Sequence, residues 1–152
     1  MFFPELQERQ LGDFYCVRFI GWLSIKEPFS QGSVSPDFIK ALTKHVEEVW
    51  VPCVYAGWHD CEFCIDDSDM SSFDLCIPAG NILYFAPAMI GHYVVEHRYQ
   101  PPQEFVEAVL ASPAQATPEF YSAIRPFAER WSLIHRAGIA EFCWKRRLSR
   151  SL

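Results

Sequence analysis

The strongest constraint on how this chain folds is a set of cysteines and histidines between Gly57 and His97. The stretch opens Gly57-Trp58-His59-Asp60-Cys61-Glu62-Phe63-Cys64 and closes Gly91-His92-Tyr93-Val94-Val95-Glu96-His97-Arg98-Tyr99. Three of the five histidines and three of the six cysteines fall inside it. A Cys-x2-Cys turn presents two sulfurs to one ion, and zinc completes a tetrahedron with thiolate or imidazole from elsewhere. Cys61 and Cys64 followed by His92 and His97 are therefore the candidate metal ligands, and zinc the candidate ion. The order knuckle, hairpin, helix is that of a finger-type site. The 27 residues between Cys64 and His92 exceed the roughly 12 of DNA-binding fingers.

Geometry places two demands on that assignment. A helix advances about 100° per residue, so positions 92 and 97 differ by about 140° in azimuth and share no face of a straight helix. The pair predicts a helix whose last turn loosens, and Arg98-Tyr99-Gln100-Pro101-Pro102 would end it there. His59 also competes for a place. It lies two residues before Cys61, so on a strand both would point the same way. It stands as a ligand, a supporting group or neither. Cys76 is a weaker competitor. The plainer alternative is a reduced cysteine pair beside two core histidines.

Composition narrows the class. The 152 residues suit a chain that buries a real core, half of them hydrophobic and 16% aromatic, which excludes disorder. No apolar run approaches the roughly 20 residues needed to cross a bilayer. The opening Met1-Phe2-Phe3-Pro4-Glu5-Leu6 carries neither a basic region nor a cleavage site, so the expectation is a cytoplasmic protein without a membrane partner. In that compartment thiols and metal ligands outnumber disulfides. Cys16, Cys53, Cys76 and Cys143 sit among apolar residues and read as small buried hydrophobes.

The net charge of −6 is unevenly spread. No Lys or Arg occurs between Lys44 and Arg98, an interval holding Glu47, Glu48, Asp60, Glu62, Asp66, Asp67, Asp69, Asp74 and Glu96. Such a surface repels phosphates, which argues against nucleic acid as a partner. The far end, with Arg136, Lys145, Arg146, Arg147 and Arg150, reads as a solvated helix terminus.

Along the chain, Phe14–Leu23 predicts a strand ended by Gly21-Trp22-Leu23. Ser35-Pro36-Asp37 is a helix start, since Ser caps free amides and Pro is tolerated in the first turn. The stripe Phe38, Leu42, Val46, Val49 continues it, with His45 at the boundary, until Pro52 stops it. Val51–Ala56 predicts a strand leading into the knuckle, and Asp66–Ser72 a polar connector. Phe73–Ile77 and Ile82–Ala86 predict a hairpin around Pro78-Ala79-Gly80-Asn81. Helices are predicted over Ala88–His97, from Pro102, over Pro118–His135 and over Ile139–Leu148. The sum is an α+β fold: a small antiparallel sheet with a zinc knuckle, hairpin and helix, plus C-terminal helices. Residues 1–112 form a zinc-binding domain, and 113–152 a helical extension packed on it.

The chemistry is less determined. There is no Gly-rich phosphate loop, Gly-x-Ser-x-Gly elbow or His-Glu-x2-His. Thioredoxin-like redox chemistry fits poorly, because surrounding negative charge raises thiol pKa. Four protein ligands would close the coordination sphere and make the metal structural. The chain would then be a binding or scaffold module, with a protein partner or self-association at exposed aromatics near Trp22, Trp58, Tyr99 or the C-terminal helices. An open position would instead allow a metal-dependent hydrolase with Asp60, Glu62, Asp66 or His59 as base.

Several strings together resemble a bacterial family of small proteins defined as a domain of unknown function. They are Gly21-Trp22-Leu23, Pro28-Phe29, Gly32, the Gly-x-His-x-Cys-x2-Cys knuckle at 57–64, and Tyr84-Phe85-Ala86-Pro87. Ile90 to Tyr99 and Pro101-Pro102-Gln103-Glu104-Phe105 complete the set. The resemblance covers about residues 1–112. It implies a bacterial origin and the same metal-ligand residues, and it implies no activity.

Overall fold

In a computed structural model, residues 2–51, 58–65 and 70–134 are described. Six strands and four helices run in the order β1 (Glu8–Gln10), β2 (Cys16–Phe19), α1 (Pro36–Glu47), β3 (His59–Asp60), β4 (Met70–Ser71), β5 (Asp74–Ala79), β6 (Ile82–Pro87), α2 (Ile90–Glu96), α3 (Gln103–Ala111) and α4 (Pro118–Ile134). The fold is α+β, as the sequence predicts. The expected strand at 51–56, all but its first residue, and the expected last helix at 139–148 lie outside the described residues.

The main sheet has the order β1-β2-β6-β5. β5 and β6 form the predicted hairpin, turned at Gly80 with φ +61°. β2 pairs with β6 in parallel, from Cys16 opposite Ile82 to Phe19 opposite Phe85. The sheet is therefore mixed and not purely antiparallel. A second sheet of two strands pairs His59 with Ser71 and Asp60 with Met70, so the end of the expected polar connector is a strand. The predicted strand at 14–23 is shorter than expected. Gly21, at φ +68°, turns the chain after it, and a side chain there would meet Ile90.

Both faces of the main sheet are covered, and the strands alternate between them. Leu75 and Ile77 of β5, with Tyr84 and Ala86 of β6, face a core shared with Phe38, Leu42, Ile90, Tyr93 and Phe105 from α1, α2 and α3. Cys76, Leu83, Phe85, Val17 and Phe19 face the other way, onto Phe120, Ile124 and Phe127 of α4. A sheet buried on both faces explains why these strands read as near-continuous apolar runs. Cys16 and Cys76 are buried, as expected.

α1 begins as predicted. The Ser35 hydroxyl accepts the Phe38 N–H at 3.2 Å, with Pro36 in the first turn. Of the aromatics expected to mark a partner surface, Trp22 and Tyr99 are instead buried. The Trp22 indole donates to the Phe85 carbonyl at 3.1 Å. The Tyr99 hydroxyl donates to Glu5 at 2.6 Å. Trp58, at 66% exposure, lies open.

Candidate metal centre

The knuckle is a tight turn in which the Cys64 N–H approaches the Cys61 carbonyl at 3.4 Å. It follows directly from β3, so both sulfurs project from one short loop. Phe63 packs edge-on against Phe29 and Tyr93 and lies 5.2 Å from the His97 ring, which ties the turn to the core beneath it. The Glu62 carboxylate accepts the Ser24 hydroxyl and the Ile25 amide, each at 2.9 Å. These bonds, the amide first, hold its carboxyl below the usual range.

The histidines come from α2 and its end. His92 lies in the first turn, and His97 is the C-cap, with φ −107°. The helical hydrogen bonding runs on to His97, and the chain leaves the helix at Arg98, one residue after the predicted loosening. The Tyr93 carbonyl accepts the His97 N–H at 3.2 Å and the Tyr99 N–H at 3.0 Å, while Arg98 takes φ 54°. Residues 98–100 are then zipped to the preceding loop. Gly32 N–H donates to the Arg98 carbonyl at 3.0 Å, and Gln100 N–H to Ser30 at 2.9 Å. The Gln31 amide reaches the His97 carbonyl at 3.2 Å. The helix end is thus fixed, and the His97 and His92 ring centroids lie 4.9 Å apart.

The four side chains converge. Cys61 Sγ lies 3.2 Å from both His97 Nε2 and His92 Nε2. Cys64 Sγ lies 3.5 Å from His92 Nε2 and 3.4 Å from His97 Nε2. The two Nε2 atoms are 3.1 Å apart, and all four donor atoms fall within 4.8 Å of one another. Bonds of about 2.0 Å to nitrogen and 2.3 Å to sulfur around one ion imply tetrahedral edges of roughly 3.3 to 3.8 Å. The four sulfur–nitrogen edges and the nitrogen–nitrogen edge match those values to a few tenths of an ångström. This Cys2His2 group can hold a metal ion.

His59 stands outside the cluster. Its Nε2 pairs with the Tyr93 hydroxyl at 3.3 Å, and its ring lies 5.8 Å from Trp22. Burial pushes its pKa down. Tyr93 in turn packs against the His92 and His97 rings, so His59 reaches the centre through that phenol. Burial, then the negative charge of Cys61, Glu62 and Cys64, pushes the Tyr93 phenol well above its ordinary range. Cys76 faces the α4 side of the sheet and cannot join. Asp60 is exposed on β3, and Asp66 lies outside the described residues. Tyr93 as the link between His59 and the ligands has one signal in the sequence, an aromatic directly following a candidate ligand.

The family model of a domain of unknown function, DUF7919, matches residues 1–110, and the chain belongs to that family. No curated protein and no solved structure matches the chain. Among the described residues no helix is long and apolar enough to cross a membrane.

Proposed function

We propose that this member of the DUF7919 family is a zinc-stapled binding module in which Cys61, Cys64, His92 and His97 all ligate one structural Zn2+. The observation that carries the reading is the convergence of two sulfurs and two Nε2 atoms at tetrahedral spacing. Two sulfurs and two imidazoles are a donor set that suits zinc and leaves no position for an activated water. The ion would join the knuckle after β3 to the end of α2, two segments that no strand pairing joins. A hydrolytic reading needs a base at an open position. Glu62, the acid nearest the sulfurs in sequence, is occupied by Ser24 and Ile25.

Elemental analysis of protein purified without chelator is expected to give about one zinc per chain. Cys61→Ser should abolish that stoichiometry and lower the Tm by about 10 °C or more, since removing a structural ion costs several kcal/mol. His59→Gln should keep the metal. A chain that binds no metal, or a Cys61→Ser variant of unchanged Tm, sinks the staple. Metal lost from His59→Gln would move His59 into the ligand set.

A further inference from the structure

We propose that the trough beside the metal centre, between α1 and α2, docks a cationic amphipathic segment of another protein. The proposal rests on the binding-module reading and names the partner's chemistry. The trough has a volume of about 720 Å3 and runs past Cys64 and His92, so the metal-binding residues form part of its wall. Val46, Phe73 and Met89 give it an apolar lining. Met70 and Val95, 39% and 56% exposed, leave apolar surface open at its edges. Two methionines suit a surface that adapts to a partner's side chains. Thr43, Glu47 and Glu96 along its margin are also exposed. As lined by the described residues, the trough can receive side chains from a segment lying across it.

Charge selects the segment. Glu47 and Glu96 stand on opposite walls, and among the described residues no Lys or Arg lines the trough. Neither carboxylate makes an ion pair among the described residues. The surrounding sequence holds no cation between Lys44 and Arg98. A segment flanked by Lys or Arg is therefore attracted, and an acidic one repelled.

Gly91 supplies an independent observation. It occupies the first turn of α2 without a positive φ, and a Cβ built on it meets no atom within 4 Å. Among the described residues, neither the backbone nor the packing calls for glycine there. Glycine forms helix less readily than alanine. Gly91 lines the trough, and an occupant approaching the wall at that point accounts for the missing side chain.

The test uses the zinc-loaded full chain and a fluorescein-labelled Leu–Lys amphipathic helical peptide of about 18 residues, roughly five turns. Its Leu–Glu counterpart is the control, and the readout is anisotropy. The Leu–Lys peptide should bind with an affinity that falls with salt, and the Leu–Glu peptide should bind at least about tenfold more weakly. Gly91→Leu should weaken the Leu–Lys peptide about tenfold, with zinc content retained and Tm unchanged or raised. Glu47→Lys with Glu96→Lys should reverse the preference between the peptides. Equal binding of the two peptides, no binding up to about 100 μM (about 5.5 kcal/mol), or a Gly91→Leu variant that binds like the parent overturns the proposal. Self-association in sedimentation velocity that Gly91→Leu abolishes would give the trough to a second copy and overturn it equally. Zinc content measured on the same samples separates failure of the trough from failure of the staple.

Discussion

His45 is 7% exposed and held at both ring nitrogens. Its Nε2 lies 3.1 Å from the Val109 carbonyl, which can only accept, so Nε2 carries the proton. Its Nδ1 accepts from the Gln115 amide at 3.4 Å. That amide is oriented by two backbone partners, the Trp50 N–H and the Cys76 carbonyl, at 3.1 and 3.0 Å. His45 is thus a neutral histidine, and burial lowers its pKa from 6.5. The unfolded chain takes up the proton first as pH falls. The contribution of His45 is therefore complete above about pH 6.5 and is lost as pH drops towards the lowered folded value. His45→Gln should lose less stability than the parent between pH 7.5 and 5.5, measured by urea unfolding at matched zinc; equal losses would contradict the assignment. The sequence places His45 at the edge of a helical stripe and carries no trace of these partners, because Val109 and Gln115 are distant along the chain. The metal-ligand candidates are legible for the opposite reason: Cys61 with Cys64, and His92 with His97, are paired by local spacing.

At the scale of elements, α1 shows local chemistry acting alone. Ser35 caps the Phe38 amide, Pro36 fills a position that needs no donor, and Phe38 and Leu42 face the core. Ser35→Ala should cost about 1 kcal/mol in denaturant unfolding with m unchanged. The hairpin of β5 and β6 is equally local, and its turn sits where Gly80 and Asn81 predict it. β1 is not legible, because Glu8-Arg9-Gln10 has neither alternation nor β-branched residues. It exists because it lies along β2, with Glu8 and Arg18 in an ion pair at 2.9 Å. The Arg18 guanidinium also meets Glu104 at 2.9 Å, fixing the start of α3 to the sheet. The parallel partnership of β2 and β6 is hidden as well, since nothing in either strand names a partner so far away.

Across the whole molecule, helices α1–α3, the sheet and α4 make three layers. The family match ends at residue 110, yet Phe120, Ile124 and Phe127 beyond it are fully buried against Val17, Leu83 and Phe85. Phe127 also meets the Tyr15 ring edge-on at 5.2 Å, and Arg130 lies over that ring. α4 is therefore half of the sheet's cover. Phe127→Ala should cost about 3–5 kcal/mol, a large share of the stability of a domain this size. A loss below about 1 kcal/mol in chemical denaturation would mean that α4 contributes little to the fold.

The parallel pairing of β2 with β6 also sets the order in which the molecule can assemble. Residue 16 must find residue 82, so the sheet cannot close until α1, the knuckle and β5 have been synthesised. Such distant pairing makes folding slow, because loop-closure entropy is lost before the contacts form. Until then the inner edge of β2, with Val17 and Phe19, waits unpaired in the nascent chain, open to aggregation. The charged β1 covers only the other edge. His92 and His97 emerge just after β6, so the segment that closes the sheet and the residues that complete the Cys2His2 cluster leave the ribosome together.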